Sequence, residues 1–210
     1  MPILTKARDI LVSQVARHGS EYTSAGDTFN ALLLKADVSQ DMPRDEYTIL
    51  AGYNATFTDG ELVIGDGERY VPVKLDIPNT VNASMYKRIY LRQCNASGMF
   101  QRWHEQGNAS TDVWDQPAGT ASVDYGWVAQ KNSVYINLQN IKIGDVETKI
   151  GEQETTAYIG AIPRSVNASW TPRAGDRFVD TNGDKLQIQD VDDSTWEGQA
   201  YRVRFSIDER

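Results

Sequence analysis

The chain has little of the chemistry that small proteins use to staple themselves or to react. One cysteine in 210 residues, Cys94, excludes an intrachain disulfide and any zinc or iron–sulfur site built from several thiolates. There are two histidines. His18 falls at the end of a helical pattern, where a partly cationic imidazole suits the last helix carbonyls, and His104 has no second histidine at ligand spacing. No apolar run approaches the ~20 residues that span a bilayer, so no membrane partner is expected. The opening residues, Met1-Pro2-Ile3-Leu4-Thr5-Lys6-Ala7-Arg8-Asp9, lack the apolar stretch of a signal peptide, which predicts folding in a reducing cytoplasm. Nucleophile-elbow, phosphate-loop and dinucleotide fingerprints are missing. Gly65-Asp66-Gly67 has no third glycine and reads as a turn.

What is present is an ordinary globular composition, 40% hydrophobic and 24% charged, long enough for one large domain or two small ones. Ile3, Leu4, Ala7, Ile10, Leu11 and Val15 recur at spacings of three and four, with Pro2 before and Gly19 after them. This predicts one amphipathic helix over residues 3–18. Beyond it, β-branched and aromatic residues gather in short runs between Gly, Asn, Asp and Pro. Strands are predicted over 29–34, 47–57, 62–64, 69–75, 134–138, 156–162, 177–181, 185–189 and 200–206. Val134, Ile136 and Leu138 alternate with polar neighbours, the signature of a strand with one buried face. A hairpin is predicted around Gly65-Asp66-Gly67, and a type I′ turn at Asn182-Gly183. Residues 86–103 fit helix or strand equally, and 104–127 read as a long loop. The fold class that follows is mainly β: an N-terminal amphipathic helix followed by one or two small β-barrels or sandwiches.

Five Asn-Ala-Ser/Thr tripeptides start at Asn54, Asn82, Asn95, Asn108 and Asn167. Glycosylation there would require a secretory route, so they are read as asparagine-led turns. Carboxylates are numerous enough that a glycosidase-like pair could come from any two strands. Asp180-Thr181-Asn182-Gly183-Asp184 resembles the first half of a calcium loop, but Lys185 and Val191 stand where that loop needs Gly and Glu. No catalytic residue, cofactor or metal is assigned.

The distribution of charge is more informative. With 29 acidic against 21 basic residues the net charge is −8, which argues against tight nucleic-acid binding by the surface as a whole. Yet no acidic residue occurs between Asp76 and Glu105, a window that holds Lys87, Arg88, Arg92 and Arg102 among Tyr86, Tyr90, Phe100 and Trp103. Such a strip can meet phosphates, bases or an acidic protein surface, or its arginines can pair with carboxylates distant in sequence. From Asp176 to the end, nine acidic residues face five basic ones, and Asp176, Asp190, Asp192 and Asp193 are expected to form an acidic inter-subunit face. Copies joined head to tail through two such patches would close into a ring if the rotation allows.

Two blocks carry a family resemblance. Ala7-Arg8-Asp9-Ile10-Leu11 through Val15-Ala16-Arg17-His18-Gly19 and Tyr22-Thr23 looks like the start of tailed-bacteriophage head–tail joining proteins, where a helix leads into a small β-barrel. Pro172-Arg173-Ala174-Gly175-Asp176-Arg177-Phe178-Val179, with Asn182-Gly183 and Lys185 to Val191, is similar to the late strands of the same proteins. The two blocks cover about a third of the chain, and the middle has no counterpart. The resemblance implies three parts: residues 1–37 as helix and first strand, 38–165 as an inserted or second β domain, and 166–210 as strands that complete the joining-protein-like barrel. It further implies a non-enzymatic virion protein, assembled in the host cytoplasm, that forms a ring in the neck between portal or capsid and tail. Its partners would be copies of itself, a portal or adaptor protein, a tail or tail-terminator protein, and double-stranded DNA passing through the lumen. Two other readings compete: a β-sandwich that binds carbohydrate or a host receptor through Trp103, Trp114 and Trp127, and a carboxylate-based glycoside hydrolase.

Overall fold

A computed structural model describes residues 2–35, 46–77, 79–80, 83–106, 124–141, 157–168, 170–196 and 198–208. The chain opens with helix α1, Pro2–His18. Val15 is buried and Leu11 and Val12 are half-buried against the sheet below, whereas Ile10 stays 60% exposed. The helix ends at Gly19 because the chain must turn tightly there: a Cβ would meet the carbonyl oxygens of Val15 and Ala31 at 2.5 and 2.8 Å.

The first half of the chain forms strands β1 (Ser20–Ser24), β2 (Asp27–Lys35), β3 (Glu46–Gly52), β4 (Val63–Gly65) and β5 (Glu68–Asp76). A two-residue pair, β6 (Asn79–Thr80) and β7 (Ala83–Ser84), precedes β8 (Tyr86–Gln93). The second half forms β9 (Ala96–Gln106), β10 (Asp124–Ile141), β11 (Ala157–Pro163), a 3-10 turn at Arg164–Ala168, then β12 (Arg177–Asp180), β13 (Lys185–Asp192) and β14 (Ala200–Ile207). Both halves close on themselves. The first barrel runs β1-β2-β3-β8-β5-β4 and the second runs β10-β11-β14-β13-β12-β9, with every pairing antiparallel. The protein is therefore mainly β, with one N-terminal helix and two small closed barrels.

The barrels divide the chain between β8 and β9, at Cys94-Asn95, and not at the expected 37/38 and 165/166 boundaries. The two chain ends do not complete a common barrel: β1 and β2 close the first, and β12 to β14 close the second. Residues 86–103 prove to be β8 and most of β9, and the expected loop 104–127 includes the end of β9 and the start of β10. Residues 107–123 of that expectation lie outside the described residues.

Two-residue turns with positive φ at both positions join β1 to β2 (Ala25 53°, Gly26 91°) and β4 to β5 (Asp66 52°, Gly67 81°). Asn182-Gly183 departs from this type I′ pattern. Only Gly183 has positive φ, at 94°. Gly183 N–H donates to Asp180 O at 3.1 Å and Asp180 N–H donates to Asp184 O at 3.0 Å, a three-residue loop with a left-handed glycine. The cause is the Asp180 carboxylate, which accepts from the backbone N–H of Asn182 and of Asp184, both at 2.8 Å.

Side chains fill both barrels. Tyr22, Ile49, Val63, Ile89 and Leu91 occupy the first, and Phe100, Ile136, Phe178, Ile188 and Phe205 the second. Trp170 stacks on Phe100 with ring centroids 4.6 Å apart. The barrels then pack on each other along β5. Its residues Tyr70, Val71, Pro72 and Val73 are buried in succession. Tyr70 belongs to the first barrel's core, while Val71 and Val73 join Ala161 of β11 and Ala200 of β14 in a core shared between barrels. A strand buried on both faces needs a continuous apolar run, and this sequence supplies it. Pro72 is tolerated because it sits at a β-bulge. Polar bonds pin the same seam: Ser165 N–H to Gly60 O (3.0 Å), Gly60 N–H to Gln199 Oε1 (3.0 Å) and Asn137 Nδ2 to Gln93 O (2.8 Å). Asn95 heads one of the Asn-Ala-Ser tripeptides. Its carboxamide donates to Leu138 O and accepts from Leu138 N–H, both at 2.7 Å, so it acts as one more rung of the β-ladder.

Two substitutions test this architecture. At Gly98 a Cβ would lie 2.1 Å from Val179 O and 2.8 Å from Asp180 Cα, both backbone. Gly98→Ala should force β9 from β12 and cost about 1–3 kcal/mol in a urea unfolding curve. The Tyr22 hydroxyl is buried with no protein hydrogen-bond partner. Burial, helped by nearby Asp66, pushes its pKa up to about 12. Because the folded value lies above the unfolded value of about 10, this tyrosine contributes stability that is present below that pH and lost as pH rises through the folded value. Tyr22→Phe should remove that alkaline loss and leave stability at neutral pH equal or up to about 1 kcal/mol higher, measured by urea unfolding on both sides of pH 10.

Candidate interaction surfaces

The four residues of the acid-free window do not form one strip. Lys87, Arg88 and Arg92 stand on β8 of the first barrel and Arg102 on β9 of the second. Lys87 Nζ donates to Ala55 O. Arg88 lies against Tyr86, with an Nη2 to Oη distance of 3.3 Å. Arg92 is buried, paired with Glu46 on the neighbouring strand β3, and its guanidinium sits 4.9 Å from the Trp196 ring at the seam. Arg102 forms a two-pronged pair with Asp176, Nε to Oδ1 at 2.6 Å and Nη2 to Oδ2 at 2.8 Å, and also donates to Thr171 O at 2.9 Å. Asp176 raises the Arg102 pKa further, so the guanidinium is cationic at every accessible pH.

The expected acidic face is dispersed in the same way. Asp176 is 1% exposed and holds Arg102 and the Arg173 N–H (2.9 Å), so an expected outward carboxylate is an internal partner of the expected basic strip. Aspartate at this depth requires a paired cation, and an arginine 74 positions earlier supplies it. Asp190 and Asp192 lie on β13 opposite Arg204 and Arg202 of β14, giving a face of mixed sign. Asp192 caps the turn after β13: its Oδ1 accepts from Ser194 N–H at 2.9 Å and it binds the Thr195 hydroxyl. Those bonds hold its pKa well below the usual carboxylate range. The backbone oxygen of Asp193 lies 3.4 Å from Arg164 Nη1.

A feature missed from sequence is a projecting β-arm. Among the described residues, β12 pairs with β9 only from Gly98 to Gln101, and β10 pairs with β11 only from Asn137 onward. Beyond those points residues 102–106 of β9 and 124–128 of β10 pair with each other as a two-stranded ribbon. A ribbon of that kind is marginal alone, and side chains at its root hold it. Arg102 is clamped by Asp176. On the outer face, Arg177 of β12 places its guanidinium 4.0 Å over the Trp127 ring and bonds Gln101 Oε1 through Nε (3.1 Å) and Nη2 (2.6 Å). Trp127 meets Trp103 edge-to-face across the ribbon, with centroids 5.4 Å apart and planes at 72°. Trp103 remains 51% exposed, and Met99 on the same side of β9 is also exposed. Trp114 lies outside the described residues. The signal available in the sequence was Trp103 and Trp127 themselves, large apolar side chains in a stretch otherwise rich in turn formers.

A cavity of about 270 Å³ lies where the β4–β5 and β12–β13 turns meet, lined by Arg69, Cys94, Tyr135 and Asp180 among others. Arg69 covers the Tyr135 ring at 4.1 Å, burial pushes the Cys94 thiol up to about 12, and Asp180 spends its oxygens on its own loop. Among the described residues no group of three or more His, Cys, Asp or Glu converges on a metal-sized site, and no helix is long and apolar enough to cross a membrane. No protein-family model matches the chain, and neither a curated protein nor a solved structure does.

Removing the arm's clamp has a defined outcome. Arg102→Ala leaves the Asp176 carboxylate buried with the Arg173 N–H as its remaining donor. Thermal unfolding should show a loss of about 3 kcal/mol, the low end for breaking a buried pair, because the guanidinium is partly exposed. Arg102→Lys should recover only part of it, since an ammonium cannot make the two-pronged contact.

Proposed function

We propose that this chain is a structural subunit of a ring in the neck of a tailed bacteriophage, between portal or capsid and tail. Double-stranded DNA would pass through the lumen, and the ring's neighbours would be a portal or adaptor protein above and a tail or tail-terminator protein below. The observation that carries the reading is the pairing of two closed, seam-locked barrels with a projecting tryptophan-bearing arm, a rigid body with a handle. Closed barrels leave few open sheet edges, so such subunits can sit at high local concentration without edge-to-edge aggregation. The resemblance of the helix and late-strand blocks to joining proteins supports the placement in a phage neck. The buried pairing of Arg92 with Glu46 and Arg102 with Asp176 accords with DNA as a passing contact, because two of the four cations in the window are neutralised at home.

The carbohydrate-binding alternative rests on the exposed Trp103. Its companion Trp127 is turned edge-on and covered by Arg177, so the pair does not present one flat stacking surface.

The direct test is made in the particle. Virions from a host in which this gene is silenced should accumulate as DNA-filled heads without joined tails, and mass spectrometry of intact virions should find this chain at a fixed low copy number. Normal tailed particles without the chain, or a chain located only at the tail tip, would overturn the neck assignment.

A further inference from the structure

The two barrels are laid down in the same way. In chain order the first barrel uses β1, β2, β3, β4, β5 and β8, and the second uses β9 to β14. Numbered one to six within each barrel, both sets close in the order 1-2-3-6-5-4. Register agrees as well as order. In the first barrel the third and sixth strands pair from Glu46 with Arg92 to Gly52 with Tyr86. In the second, strands of the same two lengths pair from Ala157 with Ser206 to Pro163 with Ala200. Each fifth strand carries a β-bulge at the same rung: Pro72 faces Leu91 and Lys74 faces Tyr90, as Ile188 faces Phe205 and Asp190 faces Arg204. Tyr22 faces Phe29 on one side and Gly65 on the other, as Gly98 faces Val134 and Asp180.

The rungs also match core positions, which are filled by different residues of compensating size. Phe29, Ala31, Val63, Ile89 and Leu91 correspond to Val134, Ile136, Phe178, Val203 and Phe205, and all are buried. Ile49 corresponds to Gly160, where a Cβ would lie 2.5 Å from Phe205, the larger counterpart of Leu91. Bulk lost on the third strand is regained on the sixth. Gly65 makes room for the Tyr22 ring in the first barrel, and Gly98 for Phe178 in the second, so the small residue has changed strands. Six antiparallel strands can close with other orders and staggers, and a bulge can fall at any rung, so agreement in all three points to a common origin.

We propose that the chain is a tandem duplication of one six-stranded barrel, and that the arm is an addition to the second copy which that barrel does not need in order to close. The first copy makes the corresponding link, between its first two strands, with the two-residue turn Ala25-Gly26. The joint between the copies is not repeated either. Val71 and Val73 on the fifth strand of the first copy enter the shared core, and Gln187 and Gln189 hold their places in the second. The second copy therefore does not offer again the apolar face on which the first holds it, and the array ends at two.

Equivalence means that a core solution from one copy works in the other. In the first barrel, Ile49→Gly should lower the thermal midpoint by at least about 5 °C. Adding Leu91→Phe, which reproduces the Gly160 and Phe205 pair, should restore at least half of that loss. In the second barrel, Gly160→Ile with Phe205→Leu should unfold well above Gly160→Ile alone, and a double variant that folds where the single one does not is the same result. For the arm, Ala-Gly in place of residues 103–127 lets Arg102 and Val128, which pair in the ladder, close a turn as Ser24 and Asp27 do. Trp170, buried in the second barrel, and Trp196, packed at the seam, remain as reporters. Their emission should stay blue-shifted until one cooperative thermal transition.

A double variant in either barrel that merely adds its two losses would overturn the duplication. A trimmed chain whose tryptophans emit as if in water before heating would overturn the arm's being an addition. None of these results touches the neck assignment, which stands or falls on the particle experiment.

Discussion

Everything about the shape of this molecule depends on β5 being buried on both sides. Tyr70 points into its own barrel, and Val71 and Val73 point out of it, against Ala161 and Ala200 of the other. A barrel in isolation would expose that outer face and would gain nothing from valine there. Placed face to face, the two barrels share a small apolar core that excludes water, and the backbone bonds around Gly60 and Gln199 then form in a protected setting. The helix on one barrel and the arm on the other thereby acquire a set spacing and direction, which is what a subunit of a larger structure requires.

Charge is spent in a similar way. A chain of net charge −8 with a local basic window invites a picture of opposed surface patches. The strongest members of those patches instead meet each other inside the fold, as Arg102 and Asp176 do. That pair fixes where β9 leaves the barrel, so its role is mechanical. The remaining exposed carboxylates on β13 face arginines on β14 and present little net field.

Local signals were legible wherever a residue's neighbours in sequence are also its neighbours in space. The period of α1, the alternation through Val134, Ile136 and Leu138, and the turn at Asp66-Gly67 all fall in this class. β1 escaped notice because Ser20–Ser24 is short and polar and its turn, Ala25-Gly26, lacks the usual Asn or Asp. The stretch from Tyr86 to Trp103 resisted assignment for a structural reason: β8 and β9 are not a hairpin but belong to different barrels, and the Cys94-Asn95 joint between them has no Gly or Pro to mark it. β10 hid its length behind bulges near Lys131 and a left-handed Ser133, which break the two-residue rhythm. The candidate surfaces were less legible still. Residue type identified Arg102, Asp176, Trp103 and Trp127 as worth following, but only closure of the second barrel brings the first two together and leaves the last two on a ribbon.

The seam also sets the chemical temperament of the chain. Its sole cysteine, Cys94, sits at the joint between barrels, and burial there keeps the sulfur protonated at neutral pH. A thiol in that state is a poor nucleophile, slow to be alkylated or oxidised while the joint is intact. A cysteine introduced at a fully exposed position on the arm or the helix would be the faster-reacting one, and Cys94, partly buried at the joint, would react faster if the two barrels parted.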